Sequence, residues 1–179
     1  MRKSTQVAMG GLAAALCLLL MFMTGLVPFS SYVFPCFAGI VLVAVAAEIG
    51  AKTAFLVYIG VSILSIFIVP DPEAKLLFII LLGYYPILKP VLERLPRLLA
   101  WVAKLLLVNG MLVAFYYICL YVLGLPDLLS EWGRFGDWAA YIMLGMANFT
   151  FFMYDYLLKQ VLYLYQYWFR PKILRNITN

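Results

Sequence analysis

Residues 105–125 carry no charged side chain, and a helix over that run would be about 31 Å long at 1.5 Å per residue, matching the hydrocarbon core of a bilayer. This stretch predicts a membrane span and limits what the rest of the chain can build. Of the 179 residues, 66% are hydrophobic and 12% charged, about half the charged share of an ordinary soluble domain. The polar shell of a water-soluble globule cannot be assembled from that supply.

At about 20 apolar residues per crossing, the chain has room for several helices and little beyond them. Apolar segments are read at residues 7–27, 32–49, 53–69, 74–92, 98–125 and 138–167. The expectation is therefore an all-α integral membrane protein forming one domain over residues 1–179, with six transmembrane helices and both termini cytoplasmic. The breaks are placed by Pro28 and Ser30, by Gly50, by Pro70-Asp71-Pro72-Glu73, by an elbow at 93–104 containing Arg94, Pro96 and Arg97, and by a polar loop at 127–137. Gly83 and Pro86 interrupt the fourth segment. The first is too long for the apolar region of a signal peptide and is read as a retained helix.

Charge supplies the orientation. Alternating loops collect Arg2, Lys3, Lys52, Lys89, Arg94, Arg97, Lys104, Lys159, Arg170, Lys172 and Arg175 on one side, and only Lys75 and Arg134 on the other. The Lys and Arg side is cytoplasmic. The acidic residues Asp71, Glu73, Asp127, Glu131 and Asp137 fall on the outer side. A net charge of +5 does not point to nucleic acid, because the basic residues flank apolar segments, where they report orientation and contact with lipid headgroups.

Several chemistries lack their residues. The chain has no histidine, and Cys17, Cys36 and Cys119 lie in apolar stretches without CxxC spacing, so no metal site, cofactor or disulfide is expected. No phosphate loop, HExxH or nucleophile elbow occurs, and no enzymatic activity is expected.

The remaining candidates are polar or small residues inside the spans. Gly10 with Ala14, and Gly11 with Ala15, are two small-residue pairs spaced four apart on the first helix, where a neighbouring helix can approach closely. That neighbour is either a helix of the same chain or a separate subunit. Tyr84 and Tyr85 precede Pro86, which frees a backbone carbonyl; irregular backbone at that depth is tolerated where it is buried or lines a cavity. Asn109 and Asn148 are central enough to contact a ligand or to bridge two helices. Asp155 and Lys159, also four apart, can neutralise each other as a structural ion pair near the inner interface. Phe29 and Trp132 belong to an outer aromatic cluster, either belt residues or a lid over an outward pocket.

The ensemble resembles the substrate-binding S component of energy-coupling factor vitamin transporters: its length, six helices, cytoplasmic ends and the small-xxx-small pairs of an alanine-rich first helix all fit that family. The resemblance implies that Gly11 and Ala15, which match the family motif best, or Gly10 and Ala14 as the alternative register, dock onto a transmembrane coupling subunit driven by an ATPase pair. It also implies a small-molecule site near the outer face, for which the candidates are Phe29, Tyr84, Tyr85, Asn109, Trp132 and Asn148. A multi-pass protein of a bacterial plasma membrane, in contact with membrane lipids, is expected. Two other classes compete with this one. A non-catalytic scaffold would have a dry, filled centre, and a small lipid or isoprenoid enzyme would rely on Asp71, Glu73 and Asp155.

Overall fold

The computed structural model describes residues 3–27, 30–121, 138–165 and 167. Over these residues the chain is helical: α1 (Lys3–Met23), α2 (Val33–Glu48), α3 (Ala51–Ile68), α4 (Pro72–Leu77), a π-helical turn (Phe78–Leu82), α5 (Tyr85–Leu92), α6 (Arg97–Tyr121) and α7 (Ala139–Leu164). Among the described residues, four stretches, Lys3–Met23, Ala51–Ile68, Pro72–Leu92 and Arg97–Cys119, are long and apolar enough to cross a membrane. The apolar α2 is shorter, at 16 residues.

The outward surface is of the kind lipid requires. Leu12, Leu56, Phe67, Leu106 and Phe149 are each at least 68% exposed, a lateral apolar surface that a monomer in water does not tolerate. Helices satisfy most of their backbone groups internally, which suits the protein to a membrane-embedded setting.

Packing places α2 at the centre. On one side Ala38 and Leu42 of α2 meet Cys17 and Met21 of α1, Val61 of α3 and Phe78. On the other, Val43 joins Leu81, Leu82, Tyr85, Val108, Phe151, Tyr154 and Leu158, which ties α2 to the π turn, α5, α6 and α7. The half of the bundle formed by α5, α6 and α7 is thus filled by large side chains, with Tyr85, Val108 and Leu158 fully buried.

The fourth apolar segment is expected as one interrupted helix, and the structure shows how the interruption is satisfied. Asp71 caps its start, accepting from the N–H groups of Glu73 at 3.0 Å and Ala74 at 3.2 Å. Further along, the Gly83 N–H donates to Phe78 O, five residues back, at 2.8 Å, which leaves Ile79 O without its helical donor; the hydroxyl of Tyr58 in α3 donates to it at 2.6 Å. Pro86 has no N–H to offer Leu82 O, and Tyr154 Oη of α7 supplies that bond at 3.2 Å. Two neighbouring helices therefore each lend a tyrosine to a carbonyl that the break has freed. Glycines admit them: a Cβ on Gly83 would come within 2.7 Å of the Tyr58 ring, and one on Gly39 would meet Tyr154 Oη and, at 2.5 Å, Leu82 O.

Candidate functional site

The most concentrated polar feature lies where α5, α6 and α7 meet, within segments that are otherwise apolar. Lys89 is on α5, Lys104 on α6 and Asp155 on α7. Lys89 Nζ donates to Asp155 Oδ1 at 2.6 Å and also to the Asp155 carbonyl. Lys104 Nζ spans both carboxylate oxygens, at 3.1 and 2.9 Å. The Tyr85 hydroxyl donates to Oδ1 as well. Side-chain exposure is 1% for Lys89, 10% for Lys104 and 15% for Asp155, so these charges are paired at short range with little water to screen them.

This arrangement corrects the expected Asp155–Lys159 pair. Lys159 is 62% exposed and lies 3.8 Å from Glu93, whereas Asp155 is committed to Lys89 and Lys104. The physical reason is burial: an exposed lysine can be hydrated, while two ammoniums enclosed between helices need the one carboxylate that, among the described residues, lies within direct hydrogen-bonding reach. In the sequence, Lys89 and Lys104 count among the basic residues that mark the cytoplasmic side, not as partners of Asp155. The available signal was that Lys89, Lys104 and Asp155 each interrupt an apolar segment, a cost that mutual pairing relieves.

The other candidates divide into separate places. Asn109 and Asn148 meet across the α6–α7 contact in a reciprocal amide pair, Asn109 Nδ2 donating at 3.3 Å and Asn148 Nδ2 at 3.0 Å. Each also donates to the carbonyl four residues back. Tyr85 faces α7, its ring 4.7 Å from Phe151. Tyr84 faces the other way, 6.1 Å from the Tyr58 ring, with a buried hydroxyl that has no hydrogen-bond partner among the described residues. It lines an apolar cleft of about 310 Å³ with Lys52, Phe55 and Ile87. Phe29 and Trp132 lie outside the described residues. The structure thus joins Asn109 with Asn148, assigns Tyr85 to the charged cluster and leaves Tyr84 apart.

The two registers on α1 also separate. Gly10 is buried with Ala13, Cys17 and Met21 on the face toward α2 and α3, and a Cβ there would come within 3.3 Å of Val57. Ala14 is half-buried, but Gly11 and Ala15 are exposed, and a Cβ on Gly11 would meet nothing within 4 Å.

Chemically, the cluster saturates the Asp155 carboxylate with donors. Asp71 is engaged as a helix cap at the opposite end of the α4–α5 path from Lys89, so Asp71, Glu73 and Asp155 do not converge. Among the described residues no three His, Cys, Asp or Glu side chains gather to hold a metal ion. No protein-family model, curated protein or solved structure matches the chain.

Proposed function

We propose that this chain is a membrane subunit that works by docking to partners through α1, and most specifically the solute-capture subunit of an energy-coupled importer resembling the S components of energy-coupling factor systems. The observation that carries it is the split of the small-residue pairs on α1. Gly10 serves packing within the chain, whereas Gly11 and Ala15 leave a shallow, open strip on the outward face, where another helix can approach closely. Gly11 with Ala15 is also the register that best fits the family's docking motif. A subunit with no nucleotide-binding motif of its own would draw its energy from an ATPase pair through a coupling protein.

In this reading the chain spans a bacterial plasma membrane six times with cytoplasmic ends. α2, at 16 residues, is about 24 Å long, short for a lipid-facing span and suited to its central position, enclosed by neighbours. The helix ends carrying Tyr32, Asp71 and Glu73 face outward and receive the solute, with Phe29, Trp132 and the Asn109–Asn148 pair as candidate contacts. The Lys89–Lys104–Asp155 network lies toward the cytoplasm and holds α5, α6 and α7 together.

A second reading is favoured by a specific observation: the space between α5, α6 and α7 is filled by Tyr85, Val108, Phe151 and Leu158, as in an assembly subunit that captures no solute. Purification of the full chain followed by mass spectrometry of retained small molecules separates the two. A stoichiometric micronutrient supports capture; partner subunits without any retained solute support assembly; neither partner nor solute removes both.

A further inference from the structure

We propose that the cleft at the elbow between α5 and α6 binds a phosphate group, held by Arg97, Lys104 and Lys159. The cleft has a volume of about 310 Å³, and among the described residues those three cations line it beside one carboxylate, that of Glu93, with Leu95 and Trp101 in its wall.

The charge in and beneath this cleft is unbalanced. Asp155 is saturated by Lys89, Lys104 and Tyr85. Glu93 Oε1 stands 3.7 Å from Lys104 Nζ and 3.8 Å from both Lys89 and Lys159. Those separations exceed the roughly 2.7–2.9 Å of a charge-assisted hydrogen bond, so three ammoniums share one carboxylate oxygen and none is hydrogen-bonded to it. With Arg97, four cations face two carboxylates among the described residues, an excess of two positive charges in a partly enclosed space. Arg97 also opens α6, a 25-residue helix with no acidic residue in its first turn, so the helix dipole adds positive potential on the same side. A phosphate offers several acceptor oxygens and one or two negative charges, the complement of that excess.

The rim favours an amphiphile. Trp101 is 58% exposed and Leu98, beside it on α6, 83%, so an apolar surface runs directly from the cationic cleft. A basic pocket between helices at the cytoplasmic interface is suited to an anionic headgroup, with the acyl chains lying along α6. A soluble phosphate would use the same cations and ignore the apolar rim. This proposal does not depend on the import reading.

The test uses the full chain in vesicles of phosphatidylcholine, with or without phosphatidylglycerol. Lipid retained through detergent purification is identified by mass spectrometry, and brominated forms of each lipid report proximity through quenching of Trp101, isolated by subtracting the signal of Trp101→Phe. We expect phosphatidylglycerol to be retained over phosphatidylcholine and to quench Trp101 more strongly. Arg97→Gln or Lys159→Gln should each lower that retention roughly tenfold, the loss of one charge-assisted hydrogen bond. If inorganic phosphate, in place of phosphatidylglycerol, raises the thermal unfolding temperature of the wild type but not of these variants, the source is a soluble phosphate and the site still stands. Equal retention and quenching by both lipids with no effect of inorganic phosphate overturns the proposal. So does a phosphatidylglycerol preference that survives both substitutions. The quenching comparison on unaltered charges keeps the test decisive if either variant is poorly folded.

Discussion

Asp155→Asn should be among the most damaging single substitutions in the protein. The asparagine keeps an oxygen that Tyr85 can still reach, but it removes the negative charge facing Lys89, whose side chain is 1% exposed, and Lys104, at 10%. Removing one partner of a buried ion pair leaves an uncompensated charge and costs about 3–5 kcal/mol. Replacing the network by apolar side chains of similar size is a different perturbation, because the desolvation of every charge is relieved together. Asp155→Leu combined with Lys89→Met, Lys104→Met and Tyr85→Phe should fall between neutral and about 4 kcal/mol more stable than wild type. Lys159→Gln is the internal control: that side chain is 62% exposed and 3.8 Å from Glu93, and its loss should cost less than about 1 kcal/mol. The assay is reversible unfolding in mixed detergent micelles, followed by circular dichroism. An Asp155→Asn variant within about 1 kcal/mol of wild type, or a Lys159→Gln variant as unstable as Lys89→Met, would refute the assignment.

The same unfolding measurement checks three further expectations. Tyr58→Phe and Tyr154→Phe each remove the donor to a carbonyl freed by the helix break and should each cost about 1–3 kcal/mol, which would not be seen if those carbonyls had other donors. Gly39→Ala drives a methyl group against Leu82 O and Tyr154 Oη and should cost at least about 1–3 kcal/mol, whereas Gly60→Ala meets nothing within 4 Å and should be neutral or stabilise α3 by up to about 1 kcal/mol. A double-mutant cycle on Asn109→Ala and Asn148→Ala should return a coupling of about 0.6 kcal/mol, typical of interhelical hydrogen bonds in membranes; zero coupling would mean that each amide is satisfied by its own helix.

Local features were legible and long-range ones were not. Gly50, the Pro70–Pro72 stop and the elbow around Pro96 stand between α2 and α3, between α3 and α4, and between α5 and α6, because glycine, proline and charge act within a few turns. Gly83 and Pro86 announced an interruption, yet the π turn before it depends on Tyr58 and Tyr154, 21 and 72 residues from the carbonyls that they satisfy. Asp155 shows the same limit. Helical spacing offered Lys159, four residues away, while the partners lie 66 and 51 residues earlier, and nothing in a single sequence pairs them. Spacing alone does not separate the two registers on α1, although Gly11 with Ala15 fits the family motif better; packing against Val57 is what distinguishes Gly10 from Gly11.

The most direct test of the docking account is affinity purification of the full chain from its native membrane, comparing wild type with Gly11→Leu. Gly11 has open space around it, so the variant should fold and accumulate normally. The account predicts that a membrane coupling protein and an ATPase pair are recovered with the wild type and lost with Gly11→Leu. Failure to recover any ATPase with the wild type, or equal recovery with the variant, would contradict it.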